Sequence, residues 1–251
     1  YVFGHSQGGI TGPPAVAFEP MVSGVVYSGA GGLLIESLLH KTSPVDIAGA
    51  VDREGVRVWD WRGDDGTDQL LRVSAGELAG KWYADRFPGA EFVLPLDAAG
   101  ELESVYSRTT SGLYLHGFAS ATENPDSGQT LVVYEDPVTT LRFPVENGQT
   151  WVSVGRARNS KIYDLPYAGR DTYEIEVDAT GELWLPEIAF DQVLRVRTHL
   201  TTQPAAGEST SRRQVSFLFE CFGEVARATS LEGEREKNFG RASEVRRLGI
   251  D

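Results

Sequence analysis

The segment Thr172-Tyr173-Glu174-Ile175-Glu176-Val177-Asp178 carries the sequence pattern that decides the fold of most of this chain. Its three apolar side chains alternate with acidic ones, and alternate side chains of a β-strand point to opposite faces. The segment therefore predicts a strand with one face on a hydrophobic core and the other in water.

Short segments of this kind follow one another over residues 52–232, separated by turns that contain Gly, Asp, Asn and Pro. This density predicts a predominantly antiparallel all-β domain, in the form of a sandwich, a barrel or one large curved sheet. Two similar stretches, Leu96 to Leu102 and Val177 to Leu183, each predict a hairpin loop. In both, the Asp can bond its own turn and the Gly can take positive φ.

The last segment, residues 233–251, is highly charged and has a different spacing of apolar residues. Phe239, Ala242, Val245 and Leu248 recur at near-helical intervals. This spacing predicts a C-terminal amphipathic helix or a frayed tail.

Composition excludes several classes of partner. The 251 residues have a formal net charge of −13, so neither nucleic acid nor an anionic membrane is an expected partner. Cys221 is the single cysteine, which excludes an internal disulfide and any cysteine-based zinc site. No apolar run approaches the ~20 residues of a membrane-spanning helix. We expect no metal and no cofactor.

A nucleophile elbow is the one motif with an explicit mechanism. Gly4-His5-Ser6-Gln7-Gly8-Gly9 follows the apolar residues 1–3 and matches the pattern Gly-x-Ser-x-Gly. A serine on such a strained turn projects its hydroxyl from the backbone, and the next backbone N–H can stabilise an oxyanion. A strand at Val25-Val26-Tyr27 and a short helix over residues 33–40 are predicted to follow.

Residues 1–51 resemble the α/β-hydrolase family on the basis of this GHSQGG elbow and the strand that follows it. The resemblance implies a β-α-β fragment, so the fold class predicted for the whole chain is mixed. It also implies a serine hydrolase of carboxylic esters, with Ser6 as nucleophile and the Gln7 N–H as an oxyanion donor. In the family, earlier strands lie upstream of the elbow. Because this chain begins at Tyr1 within a predicted strand, we expect a missing N-terminal portion or a partner chain.

A triad could be completed downstream, because the family's order is serine, acid, histidine. Asp65 follows a strand-like run at Val56–Trp61, and His116 lies in another apolar segment. Ser6, Asp65 and His116 are therefore the candidate catalytic residues. The alternative is that Asp65 lies in an ordinary turn and that His116 is a half-buried, hydrogen-bonded residue of a strand.

A basic row predicts a second candidate site. Arg195, Arg197 and His199 share one face of the predicted strand Val193–Leu200, where they could bind an anion or carboxylate. The alternative is cross-strand pairing with the acidic residues of Thr172–Asp178. The aromatic residues scattered among the strands could line a pocket for an apolar ligand, although core packing also explains them.

A weaker similarity covers residues 130–200. The runs Tyr134-Glu135-Asp136-Pro137, Leu141-Arg142-Phe143-Pro144 and Asn147-Gly148-Gln149-Thr150-Trp151 resemble β-rich domains of secreted bacterial envelope proteins. The resemblance implies a secreted or cell-envelope location rather than a cytoplasmic one. It also implies an alternative function, a non-catalytic β-module that binds an apolar ligand or a protein partner.

Overall fold

The computed structural model describes residues 2–3, 5–6, 25–28, 51–53, 55–63, 70–97, 99–220 and 222–249. For residues 2–3, 5–6, 25–28, 51–53 and 70–73, the description covers the backbone alone.

The described residues form seventeen β-strands and no α-helix; one 3-10 turn lies at Ala84–Arg86. In chain order the strands are β1 (Val2–Phe3), β2 (His5–Ser6), β3 (Val25–Ser28), β4 (Val51–Arg53), β5 (Val56–Asp60), β6 (Leu70–Val73), β7 (Gly76–Glu77), β8 (Phe92–Pro95), β9 (Leu102–Thr109), β10 (Gly112–Ser120), β11 (Leu131–Arg142), β12 (Thr150–Ile162), β13 (Leu165–Trp184), β14 (Ala189–Pro204), β15 (Thr210–Phe219), β16 (Gly223–Ser230) and β17 (Ala242–Leu248). The prediction of a predominantly antiparallel β fold is confirmed.

The sheet is a meander in chain order from β7 to β17, in which each strand pairs antiparallel with the next. At the far edge, β17 pairs antiparallel with β2 and β3, and β3 pairs with β6. Two pairings are parallel, β1 with β3 and β5 with β13. The meander explains why short turns dominate the sequence, because antiparallel neighbours need only hairpin connections.

The sheet is strongly curved. Strands β9 and β16 are seven ladder steps apart, which in a flat sheet would separate them by about 34 Å. Ser104 on β9 and Thr210 on β15 nevertheless line one cavity, and the charge of Arg227 on β16 acts on the hydroxyl of Tyr106 on β9. The two ends of the meander therefore face each other across a concave inner face.

Three hydrophobic clusters stabilise this arrangement. The inner core lies on the concave face and contains Phe92, Leu94, Tyr106, Leu113, Leu115, Val132, Tyr134, Val138, Leu141, Trp151, Ala157, Tyr173, Ile175, Val177 and Val196. The outer tryptophan cluster contains Trp59, Trp61, Ala179, Leu183, Leu185, Phe190, Val193, Val215, Phe217, Val225, Ala226, Ala228, Phe239, Ala242, Val245 and Leu248. A third cluster forms around the 3-10 turn, from Leu78, Tyr83, Phe87, Val93, Val105, Ala119 and Leu131.

Four charged side chains, which we call the buried charge cluster, lie near Tyr106: Glu224, Arg227, Glu244 and Arg246. Arg246 Nε donates to Glu244 Oε1 at 2.8 Å, and Arg227 Nε lies 3.6 Å from Glu224 Oε1. Burial of so many charges is tolerable only because opposite charges are adjacent.

One of the two predicted hairpin loops is confirmed. The Asp97 carboxylate accepts hydrogen bonds from the backbone N–H groups of Glu101 and Leu102, each at 2.9 Å, and Gly100 has a φ of +70°. The second prediction, a hairpin at Asp178, is wrong. Strand β13 continues through Leu165–Trp184 with irregularities of register near residues 178 and 182, because β5 pairs alongside it there.

The predicted C-terminal helix is also wrong, because Ala242–Leu248 forms strand β17. Ala242, Val245 and Leu248 pack into the outer tryptophan cluster, whereas Glu244 and Arg246 join the buried charge cluster. The three-residue spacing of the apolar side chains is compatible with a bulged strand, and the register shift between Thr229 and Ser230 of the partner β16 marks that bulge.

The predicted strand at residues 25–27 is confirmed as β3, and its parallel pairing with β1 joins Val2 to Val25 and Phe3 to Val26. The helices predicted after the elbow lie outside the described residues. The α/β-hydrolase-like fragment therefore stays a prediction.

Candidate ligand-binding site

An apolar cavity of about 320 Å³ lies on the inner face of the curved sheet. Strands from β9 to β15 contribute to its wall, together with short connections that follow β8 and β14. The side chains that line it are Leu96, Ser104, Leu115, Phe118, Tyr134, Ile162, Tyr167, Asp171, Tyr173, Leu200, Thr202, Pro204, Glu208 and Thr210. This volume is at the small end of the range for ligand pockets, about 300–1,000 Å³.

Two glycines make room for tyrosine rings in this wall. A Cβ atom at Gly155 would lie 2.7 Å from the ring of Tyr134, and one at Gly169 would lie 2.5 Å from the hydroxyl of Tyr167. Neither position could therefore carry a side chain without moving a tyrosine. Gly155 and Gly169 allow both rings to pack closely over the sheet.

Asp171 is the polar centre of the cavity. It is 7% exposed, and Tyr134 donates its hydroxyl proton to Asp171 Oδ2 at 2.6 Å. The other oxygen, Oδ1, is buried and has no hydrogen-bond partner within the described part of the chain. A buried carboxylate oxygen without a donor is costly to maintain. Asp171 therefore has an unused acceptor in an apolar wall.

The pKa of Asp171 is shifted by its burial and by its hydrogen-bond donors. Burial raises the pKa of Asp171, whereas hydrogen bonding from Tyr134 and from the nearby Thr202 opposes this shift. Burial likewise raises the pKa values of Tyr134, Tyr173 and Tyr167, and the negative charge of Asp171 contributes to each. The three tyrosines therefore stay neutral at physiological pH.

Two further spaces adjoin this cavity. A small cavity of about 60 Å³ shares Tyr173 and Leu200 with it and reaches Glu224 of the buried charge cluster. A groove of about 200 Å³ shares Leu200, Thr202 and Thr210 with it and ends at Arg212. The inner face thus holds a row of connected spaces along β14 and β15.

The predicted basic row is occupied by internal partners. Asp178 accepts two hydrogen bonds from Arg195, at 2.8 and 2.9 Å, and one from Arg197 at 2.5 Å. Arg197 also donates to the backbone carbonyl of Lys237, and His199 Nδ1 lies 2.7 Å from Glu174 Oε2. These contacts are the cross-strand pairing that the sequence left open as the alternative to anion binding. Arg197 and His199 also line a groove of about 490 Å³.

The predicted triad of Ser6, Asp65 and His116 stays a prediction, because His116 is the one member whose side chain lies within the described residues. Ser6 lies in β2, where its backbone pairs with that of Arg246, while Gln7 and Asp65 lie outside the described residues. His116 Nε2 shares a hydrogen bond of 2.7 Å with Ser107 Oγ. Burial lowers the pKa of His116, and the charge of Glu91 opposes this shift. His116 is thus a half-buried, hydrogen-bonded residue of strand β10.

Asp171 was not predicted from the sequence, although a signal was present. It has the same parity along the strand as Tyr173, Ile175 and Val177, which belong to the inner core. An acidic residue in register with an apolar row is the signature of a buried carboxylate. The predicted strand began at Thr172, whereas β13 begins at Leu165, and the prediction therefore missed Asp171.

This chain matches no protein-family model, no curated protein and no solved structure. Within the described ranges, no helix is long and apolar enough to cross a membrane. The same ranges contain no group of three or more His, Cys, Asp or Glu side chains that could hold a metal ion.

Proposed function

We propose that this protein is a non-catalytic binding module that holds a small, mainly apolar ligand on the concave face of its sheet. The observation that carries the proposal is the 320 Å³ apolar cavity with the unused acceptor of Asp171 in its wall. Ligand pockets combine apolar walls with a few placed polar groups in this way.

A steric block of the cavity tests the proposal. Leu200→Trp would place a larger ring in the wall, whereas Val152→Trp adds the same ring at a residue that is 60% exposed and does not line the cavity. We expect the neutral fluorophore N-phenyl-1-naphthylamine to bind the native protein and Val152→Trp saturably. Binding to Leu200→Trp should weaken by about ten-fold or more, which is ~1.4 kcal/mol.

Circular dichroism and thermal melting would establish that both variants fold. Absence of saturable binding to the native protein would contradict the proposal. Equal binding to the native protein and a folded Leu200→Trp variant would contradict it as well, because the dye would then bind elsewhere.

A second candidate function is ester hydrolysis with Ser6 as the nucleophile. The parallel pairing of β1 with β3, on either side of the elbow motif, supports it, since the family's strands run parallel there. A fluorophosphonate probe tests this candidate. Labelling that is lost in Ser6→Ala and kept in Ser107→Ala would support it, and no labelling of the folded native protein would contradict it.

A further inference from the structure

The charges around the cavity discriminate between possible ligands. Asp171 and Glu208 line the cavity, and none of the described residues in its wall is Lys, Arg or His. Basic side chains line the two adjoining spaces instead: Arg212 lines both and Arg213 lines the smaller one, and the Arg212 guanidinium lies 3.4 Å from Glu232. The described wall of the cavity itself therefore offers acidic groups and no cation, and a carboxylate such as that of a fatty acid would find no positive partner there.

Asp171 lacks a positive partner within this cavity. Tyr134 supplies a neutral hydrogen bond to Oδ2, the neutral side chain of Thr202 also acts on the carboxylate, and Oδ1 has no hydrogen-bond partner among the described residues. A carboxylate removed from water is stabilised most strongly by a cation that also donates hydrogen bonds. A ligand ammonium group would provide both the charge and the missing donor.

Aromatic and apolar side chains of the cavity wall could contact the ammonium group and the hydrocarbon chain of such a ligand. Tyr134, Tyr167 and Tyr173 surround the same space as the carboxylate, and aromatic rings attract cations through their quadrupoles. Leu115, Phe118 and Ile162 supply apolar surface for a hydrocarbon chain.

We propose that the cavity binds a lipophilic primary amine in its protonated form, with the ammonium group on Asp171 and the hydrocarbon chain along the apolar wall. This inference rests on the proposed function and specifies its ligand class. It predicts selection by head group among ligands of equal chain length.

A matched series of eight-carbon compounds tests the inference. Isothermal titration calorimetry of the native protein at neutral pH would compare n-octylamine, n-octanol and octanoate. Octylamine is almost fully protonated there, because an alkyl ammonium has a pKa near that of lysine, about 10.4. We expect octylamine to bind at least about ten-fold more tightly than octanol. Octanoate should bind more weakly than either.

Asp171→Asn removes the charge while keeping the size of the side chain. It should weaken octylamine binding by about ten-fold or more and change octanol binding by less than about three-fold. Asp136→Asn is the matched control, because it removes one negative charge from an exposed residue outside the cavity. Octylamine binding should be the same in this control as in the native protein.

The outcomes separate the two proposals. If octanol and octylamine bind the native protein equally, or octanoate binds best, the amine inference is overturned and the apolar binding function stands. An equal loss of octylamine binding in Asp136→Asn would also overturn the inference, since only the overall charge would then matter. If neither the series nor the fluorophore binds the native protein, both proposals fail.

Discussion

Asp178 illustrates at the scale of single residues how this fold stabilises buried charge. Its carboxylate lies between the guanidinium groups of Arg195 and Arg197, and all three side chains are largely buried. Burial alone would raise the pKa of Asp178, but the hydrogen bonds and charges of the two arginines lower it overall. The group is therefore ionised in the native state under almost all conditions in which the protein is folded.

Asp178→Asn should destabilise the protein by about 3–5 kcal/mol, because it leaves two largely buried guanidinium groups without their anion. Urea denaturation at neutral pH would measure the change in the free energy of unfolding. Glu174→Gln is the control, since its carboxylate is 57% exposed and His199 is its one ion-pair partner in the part of the chain that the structure describes. That change should cost about 1 kcal/mol or less. Equal losses in the two variants would contradict the prediction.

The stability that Asp178 contributes should also depend on pH. The folded-state pKa of Asp178 lies below its unfolded value, about 3.9, so the native state binds fewer protons at this site. Its contribution to stability is fully present above the unfolded pKa and is lost as the pH falls through the folded pKa. The difference in stability between the native protein and Asp178→Asn should therefore be constant above about pH 5 and shrink in acid.

Two nearly identical stretches show which residue-scale features the sequence predicts. Asp97 and Gly100 form the expected turn, because every contact that defines it is local. Asp178 and Gly181 have the same neighbours in sequence but not the same structure. Asp178 is bound by arginines of the next strand, and a Cβ atom at Gly181 would lie 2.8 Å from the ring of Trp59. Local pattern predicts local turns and cannot reveal partners that are distant in sequence.

At the scale of elements, the packing of β5 beside β13 depends on Gly181. Glu182 and Leu183 of β13 pair in parallel with Val58 and Trp59, which brings the two backbones close together. A Cβ atom at residue 181 would lie 2.4 Å from the carbonyl oxygen of Arg57, and a backbone atom cannot move aside cheaply.

Gly181→Ala should therefore destabilise the protein by about 1–3 kcal/mol and loosen the outer tryptophan cluster. Gly240→Ala is the matched control, because no atom of the described residues lies within 4 Å of the added methyl group, and it should change stability by less than about 0.5 kcal/mol. Thermal melting and the tryptophan emission maximum would measure both effects. Unchanged melting of Gly181→Ala would contradict this account of β5.

The sequence predicted the presence of the central strands better than their lengths, and it predicted the wrong type of element at the C-terminus. Alternation located β13 and β14 correctly, because their half-buried faces impose a period of two. It failed for β17, where Ala242, Val245 and Leu248 suggested a helix. In that strand Glu244 and Arg246 are buried as well, so burial does not follow side-chain polarity. Asp171 was missed for a different reason, because the predicted strand began at Thr172 and did not include it.

At the scale of the whole molecule, the buried charge cluster joins the two ends of the meander. Arg246 and Arg227 lie close enough for their like charges to interact, and Glu244 and Glu224 compensate them. Both arginines also act on Tyr106 of β9. The cluster therefore interacts electrostatically with β9 across the concave face.

Removal of one charge of the Glu244–Arg246 pair should destabilise the protein more than removal of both charges. Arg246→Met leaves the buried carboxylate of Glu244 without its 2.8 Å partner and should cost about 3–5 kcal/mol. The double variant Glu244→Leu/Arg246→Met removes both charges and should be destabilised less than Arg246→Met alone. Urea denaturation of the single and double variants would measure the coupling. Strictly additive losses would contradict the assignment of these residues as one unit.

Strand β13 has a further consequence for how the molecule responds to heat and to ligands. Tyr173, Ile175 and Val177 belong to the inner core, whereas Ala179 and Leu183 belong to the outer tryptophan cluster. Because the same strand contributes to both clusters, we expect local unfolding of one cluster to disturb the other. A ligand bound in the cavity should therefore slow deuterium exchange at the backbone amides of Ala179 and Leu183, in the outer tryptophan cluster, as well as at the amides that line the cavity.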